Sequence, residues 1–479
     1  MKKILLLILM AIFVILLALL LVNKPAAAPA PATPPGQEPV FTAENASNET
    51  PAAAQVTLTV VPPPASTTVV SPALPQADEA AERLTLPEGF AIRIYANDIA
   101  GTPRFMAVGE DGELYISLYG SGDIARLPDR DRDGLADGVE IIASRLNSPH
   151  GIEWHQGWLY VAEAGRVTRL RDEDGDGVLE NRELVTSNIP GAGGHTSRTL
   201  HFGPDGLLYV SAGSSCNVCV EADPRRAAIL RFNPDGSIPA DNPFANDTDE
   251  RKRAVWAWGL RNSVDFLWTP SGSLWANHNG RDNLRDEQGS TDTLPPEEII
   301  IPVQGGKSHG WPYCYTAVSG VNTPTQSEVL DDQSGLKLPE GFDCSNENVV
   351  PALFTDLAHS APLGMAIAIE RLAFPAEYHN SLYVAYHGSW NTSNAAIRDC
   401  KVERILLDGE KPLGSEVFVS GWRAEGQTCG SPQTWGRPAD VIIGADGAMY
   451  ISDDKGARVY RVVYVGEYRV SAPGAVPVQ

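Results

Sequence analysis

One short pattern recurs six times along the chain and leaves few folds open. It is a tight turn, commonly Asp-Gly, followed at once by an apolar strand carrying an aromatic residue. It reads Asp111-Gly112-Glu113-Leu114-Tyr115, Gln156-Gly157-Trp158-Leu159-Tyr160, Asp205-Gly206-Leu207-Leu208-Tyr209, Ser271-Gly272-Ser273-Leu274-Trp275, Asn380-Ser381-Leu382-Tyr383 and Asp446-Gly447-Ala448-Met449-Tyr450. An apolar strand precedes the turn, as in Phe105-Met106-Ala107-Val108 and Val441-Ile442-Ile443. Hairpins at blade-sized intervals, with little helix-period pattern, predict an all-β repeat architecture. A β-sandwich with chance turns does not account for six copies; a six-bladed β-propeller does. The wide gap between the fourth and fifth copies, 305–350, carries Gly, Pro and a cysteine pair, so it reads as an insertion.

The flanks have a different character. Residues 4–22 form an unbroken apolar run behind Met1-Lys2-Lys3, which predicts a signal anchor over 1–23 with the body exported to the periplasm or exterior. Ala26-Ala27-Ala28 offers a cleavage site, so a secreted protein is the alternative. Residues 24–83 are rich in Pro, Ala, Thr and Ser and too poor in aromatic residues to offset ordering entropy, which predicts a disordered tether. The propeller is expected over 84–466 and a flexible tail over 467–479. The six cysteines of an exported chain predict disulfides, paired locally as Cys216–Cys219, Cys314–Cys344 and Cys400–Cys429; metal binding is the alternative for Cys216 and Cys219, weakened by the lack of a second such pair or nearby histidines. The formal net charge of −23 repels nucleic acid and anionic membrane surfaces, so the membrane enters only through the leader.

A propeller orders the polar residues. In each blade the strand before the turn is innermost, and its start shares one face of the disc with the loop after the second strand. Arg104, His150, His195 with Arg198, Arg261 with Asn262, Ser360 and Arg437 fall at those starts. Asn279-Gly280-Arg281-Asp282 and His387-Gly388-Ser389-Trp390 fall in those loops. Repeated placement of polar groups at equivalent positions predicts a site at one end of the channel.

Two acidic loops belong elsewhere. Asp129, Asp131, Asp133, Asp137 and Glu140 occupy positions 1, 3, 5, 9 and 12 of a calcium loop with Gly134 at position 6. Asp172, Asp174, Asp176, Glu180 and Glu183 repeat the pattern around Gly177. Alternating oxygens around a glycine turn suit a hard cation. Strand-like flanks place both loops between third and fourth strands, on the face opposite the histidines, which predicts two structural Ca2+ ions.

The segments His195-Thr196-Ser197-Arg198-Thr199-Leu200-His201-Phe202, Trp258-Gly259-Leu260-Arg261-Asn262, Asn277-His278-Asn279-Gly280-Arg281-Asp282, His387-Gly388-Ser389-Trp390-Asn391 and Gly436-Arg437-Pro438-Ala439-Asp440 resemble, in that order, the glucose/sorbosone dehydrogenase family. The likeness runs over residues 84–465 and favours the sorbosone branch. These are soluble six-bladed propellers that use pyrroloquinoline quinone (PQQ). The resemblance implies a sugar substrate, with His195 as the general base that takes a hydroxyl proton. It implies Arg261 beside the quinone oxygens with Asn262 next to it, and His387 and Arg437 as further cofactor contacts. One more Ca2+ at the cofactor would be held by the main-chain carbonyls of Gly280 and Arg281. Neutral imidazole suits proton removal from an alcohol, and guanidinium groups suit a cofactor with several carboxylates. The chain departs from the family twice. The loop Gly213-Ser214-Ser215-Cys216 lacks the carboxylate that supports the base in glucose-oxidising members, and Ala439 stands where a second arginine is expected. Glucose is therefore a poor guess for the substrate, and the electron acceptor is unspecified. Two rival readings are a non-catalytic exported propeller that binds carbohydrate or a protein partner, and a calcium-dependent lactonase-like hydrolase. The second calls for carboxylates around an axial metal, whereas the predicted channel mouth carries mainly His and Arg.

Overall fold

The structure, a computed structural model, describes residues 77–323, 325–368, 372–389, 391–393 and 398–466. The apolar run 4–22, most of the tether and the tail lie outside them. No helix among the described residues is long and apolar enough to cross a membrane.

Six antiparallel sheets make the six blades. Blade 1 comprises Pro103–Val108, Leu114–Leu118, Asp123–Leu127 and Glu140–Ala143. Blade 2 comprises Ile152–His155, Trp158–Glu163, Arg166–Arg171 and Asn181–Thr186, and blade 3 Leu200–Phe202, Leu208–Ala212, Ala228–Phe232 and Val255–Trp258. Blade 4 comprises Phe266–Trp268, Leu274–His278, Glu297–Pro302 and Phe354–Asp356, with Gly320–Val321 added at its edge. Blade 5 comprises Pro362–Ala368, Ser381–Tyr386, Lys401–Asp408 and Lys411–Val419. Blade 6 takes three strands from the C-terminal end (Pro438–Ile443, Met449–Asp453, Arg458–Tyr464). Its outermost strand is Phe90–Ala96, paired antiparallel to Arg458–Tyr464, so the two ends of the body close the ring.

The recurring cassette has a chemical cause. Gly112, Gly206 and Gly447 hold φ of 83°, 74° and 78°, a left-handed turn that favours glycine. The preceding aspartate accepts from the tyrosine four residues on: Tyr115 Oη to Asp111 at 2.8 Å, Tyr209 to Asp205 at 2.9 Å, Tyr450 to Asp446 at 3.1 Å. An arginine directly across on the third strand faces the same tyrosine, as Arg231 faces Tyr209 and Arg461 faces Tyr450. Second strands are buried along their whole length because successive residues serve opposite neighbours. Leu208 and Val210 pack toward blade 2, Tyr209 toward blade 4. Six apolar clusters fill the six gaps between blades, and a seventh of Phe105, Val264, Leu363 and Ala439 plugs the axis.

The ordered body begins earlier than residue 84. Glu79–Arg83 is a helical turn whose N-terminal N–H groups are capped by Asp78, which also accepts from Ile94 N at 2.7 Å. Ala80 is fully buried in the blade 5–6 cluster, so apolar packing orders this end of the expected tether. The three disulfides join the expected pairs. The insertion between the third and fourth strands of blade 4 carries the Cys314–Cys344 bridge and a two-stranded ribbon, Cys314–Tyr315 with Val329–Leu330.

Candidate active site at one mouth of the axial channel

The loops that precede the first strands and follow the second strands meet above the axial plug, where they form two polar half-sites. The first centres on His195. Its Nδ1 lies 3.1 Å from the Ser214 carbonyl oxygen and 3.0 Å from Ser214 Oγ. A carbonyl only accepts, and Ser214 Oγ already donates to Cys216 O at 2.7 Å. Nδ1 therefore carries the proton, and Nε2 keeps its lone pair. Burial, then the Arg261 charge, push this imidazole down to about 4, so it is neutral in ordinary buffers. Arg198 braces the loop by donating to the carbonyls of His195 and Pro190. Gly213 is required by close approach: a Cβ there would lie 2.6 Å from His195 Cβ and 2.7 Å from Asn262 Oδ1.

Arg261 is buried beside this histidine, and all of its nitrogens are engaged. Nε donates to Asn217 O (2.9 Å) and Nη2 to Asn217 Oδ1 (2.9 Å) and Asp282 Oδ2 (3.2 Å). Nη1 donates to Asn279 O (3.2 Å) and Gly280 O (2.7 Å). The Gly280 carbonyl, expected as a calcium ligand, is thus an acceptor for this guanidinium. Arg281, its expected companion, sends its side chain to Asp331 at 2.7 Å. Behind Gly280 lies Glu297, which accepts the Gly280 N–H at 2.7 Å and is pushed by burial up to about 8.

The second half-site gathers Arg104, His387, Arg437 and Asp454. Asp454 sits 2.9 Å from His387 Nε2 and 3.3 Å from Arg104 Nε. Burial opposes its ionisation, but His387, Arg104 and Arg437 outweigh burial and hold it well below the ordinary aspartate value. Arg437 donates to the carbonyls of His387 and Gly388 at 2.8 and 3.1 Å. Tyr119 links the halves, with its hydroxyl 2.9 Å from Thr196 Oγ1 and its ring beneath Arg104. His150 packs against Phe105 of the plug below, the rings tilted by 37°.

Sequence reasoning placed Asp282 at the mouth but missed Ser214 as the partner of the base, along with Asn217, Tyr119 and Asp454. Asp454 stood in a loop after a second strand, the one signal available. The acidic loops lie, as read, between third and fourth strands. Carboxylate oxygens of Asp129, Asp131 and Asp133 lie within 4.8 Å of one another, as do those of Asp172, Asp174, Asp176 and Glu180. Glu140 and Glu183 are not in these groups. They already belong to the fourth strands, directly opposite Arg126 and Arg169, and pair with those arginines instead. Asp137 accepts from Arg130 N at 2.9 Å.

The fold and site define a class, six-bladed propellers with a neutral imidazole and guanidinium groups at one mouth of the axial channel. Within it the chain belongs to the TrAA12-like family, whose model matches residues 84–465. The aldose sugar dehydrogenase YliI of Escherichia coli is 30% identical over 55% of this chain and 58% of its own length. The pyrroloquinoline quinone-dependent pyranose dehydrogenase of Coprinopsis cinerea is 24% identical over 81% of this chain. The chain spans 55% of that enzyme's length. The holo PQQ domain of the C. cinerea pyranose dehydrogenase superposes with a TM-score of 0.61 at 20% identity, covering 82% of this chain and 98% of that one, a likeness of fold.

Proposed function

We propose that this chain is a PQQ-dependent dehydrogenase of a sugar, acting outside the cytoplasm, with His195 as the base. The observation that carries the reading is the fixed tautomer of His195. Nδ1 is committed to Ser214 and the Nε2 lone pair is left for a substrate hydroxyl, with Arg261 beside it. The donor set fits PQQ. Arg104 and Arg437 gather around Asp454 and Arg261 lies against Asp282, in two half-sites joined through Tyr119 and Thr196. Such an excess of guanidinium in a chain of net charge −23 suits a multiply anionic ligand. When bound, PQQ supplies the two-electron acceptor for the substrate C–H bond. The chain's own part is to bind, orient and move one proton. His195 Nε2 takes the hydroxyl proton, Ser214 holds the ring, and Arg261 faces the charge that develops. Arg437 and His387 would hold the cofactor from the other rim, with Asn262 beside Arg261.

The three disulfides fit an oxidising, exported setting. The leader 1–23, as anchor or cleaved signal, and the tether behind it complete the proposed organisation. The two acidic loops would each hold a structural Ca2+.

The test is to load the full chain with PQQ and Ca2+ and offer a panel of aldoses with an artificial electron acceptor. Dye reduction that needs PQQ and falls by about 100-fold or more in His195→Ala supports the reading. Tight PQQ binding without turnover on any sugar would favour a binding role instead.

A further inference from the structure

Between the base and Arg261 runs a loop of four residues, Cys216 to Cys219, closed by a disulfide. Its contacts reach both halves of the first half-site. The Cys216 carbonyl accepts from Ser214 Oγ, which lies 3.0 Å from His195 Nδ1. Asn217 grips Arg261 twice, through its main-chain carbonyl and through Oδ1, both at 2.9 Å. The same side chain spans to the next blade, accepting from Asp282 N at 2.8 Å and donating to Asp282 O at 2.9 Å. The Asn217 carbonyl also takes Trp311 Nε1 at 3.2 Å. Arg261 has no contact with a sheet on these nitrogens, so its position is set by loops, and Asn217 supplies the largest share of that setting.

The loop's ends face outward. Ser215 and Val220 are exposed, Ser215 is held by Glu221, and a cavity of about 420 Å³ lined by Val220, Glu221, Arg226, Trp258 and Trp311 begins at the C-terminal end of the loop. The cross-link adds to the hydrogen bonds of Asn217 by restricting the conformations open to this short segment. Cys216 and Cys219 are both half-buried, as is Cys344, while Cys314 is nearly and Cys400 and Cys429 are fully buried.

We propose that the Cys216–Cys219 loop is the positioning element of this site, with Asn217 holding Arg261, and that opening its disulfide with a dithiol lowers turnover. The inference rests on the sugar-dehydrogenase reading for its kinetic arm alone. In the opening step a dithiol thiolate attacks one sulfur, the S–S bond breaks, and the second reagent thiol closes the reagent into its own disulfide. Two electrons and two protons pass from the reagent to Cys216 and Cys219.

The experiment compares wild type, Asn217→Ala, Asn217→Asp and Cys216→Ser/Cys219→Ser, each with and without dithiothreitol. Displacing Arg261 by about 1 Å predicts a ~100-fold fall in kcat for Asn217→Ala, with KM within about 3-fold. Asn217→Asp, which keeps an acceptor at Oδ1, recovers most of that loss. Dithiothreitol lowers kcat of the wild type and leaves the double serine variant, already slow, unchanged. A second readout needs neither cofactor nor sugar. In the cofactor-free protein, phenylglyoxal modification of Arg261, followed by peptide mass spectrometry, is at least ~10-fold faster in Asn217→Ala than in wild type if the guanidinium is released. Altered labelling in a protein with no sugar oxidation would sustain the positioning role and reject the dehydrogenase reading. Wild-type kcat and labelling in Asn217→Ala overturn the proposal, as does a dithiol effect that persists in the double serine variant. If Asn217→Ala fails to fold, the dithiol-treated wild type against the double serine variant carries the same comparison.

Discussion

Ser214 stands where the base's partner belongs, and replacing it by aspartate tests the electrostatics of the site. In the cofactor-free protein two effects hold His195 near 4, burial first and the Arg261 charge second. Against an ordinary histidine near 6.5, protonating this ring costs about 3 kcal/mol more. A carboxylate at 214, within reach of Nδ1, favours the imidazolium and should raise the value by about 1–3 units, to roughly 5–7. Ser214→Ala keeps the main-chain carbonyl that fixes the tautomer, so it should leave the ring near the wild-type value. The assay is an NMR titration of ¹⁵N-histidine-labelled protein, with His195 assigned by its absence in His195→Gln. The kinetic consequence has a definite sign. In Ser214→Asp the base is lost as pH falls through the raised value, so the acidic limb of kcat/KM moves up relative to wild type. A wild-type ring titrating near 6.5, or a Ser214→Asp ring that titrates with the wild type, would refute the reasoning.

Other perturbations reach the rest of the account. Gly213→Ala forces a Cβ against His195 and Asn262 and should lower kcat by at least ~10-fold at a stability cost of only about 1–3 kcal/mol, read from kinetics and urea unfolding side by side. Below the plug, His201 bridges Glu153 at 2.9 Å and Asp265 at 3.2 Å. Burial works against its charge, yet Asp265 and Glu153 raise it to about 10. Its contribution should be whole below about 6.5 and lost as pH rises through about 10. His201→Leu should therefore cost about 3 kcal/mol near pH 6, the gap to wild type closing toward pH 10 in urea titrations. Calcium should raise the melting temperature by roughly 5 °C and Asp174→Asn/Asp176→Asn should remove part of that gain; a melting temperature unmoved by chelator would exclude metal from the acidic loops.

How much of this could be read from the sequence follows from the range of the interactions. The propeller was legible because its signature is local: Asp205, Gly206 and Tyr209 make one turn and one hydrogen bond within five residues, and the unit repeats. Cysteine pairs close in sequence were legible for the same reason. His195, Arg261 and Arg437 were picked out because blade position alone sends them to one mouth. Their partners were not. Asp454 meets His387 and Arg104 from opposite ends of the chain, and Asn217 meets Arg261 and Asp282 across two blades, so no spacing announces them. The acidic loops show a limit of motif reading. A twelve-position pattern treats Glu140 and Glu183 as loop residues, but the sheet register had already placed them opposite Arg126 and Arg169, and a cross-strand ion pair needs no further rearrangement. Nothing local reveals that a guanidinium from the preceding loop reaches the Gly280 carbonyl.

The most direct test of the central claim is a crystal structure of the full chain soaked with PQQ. The account predicts the cofactor in the pit above the Phe105–Leu363 plug, its carboxylates toward the Arg437 rim and the His195 Nε2 facing the open space beside it. PQQ bound elsewhere on the disc, or an empty pit at a concentration that saturates the protein in solution, would contradict it.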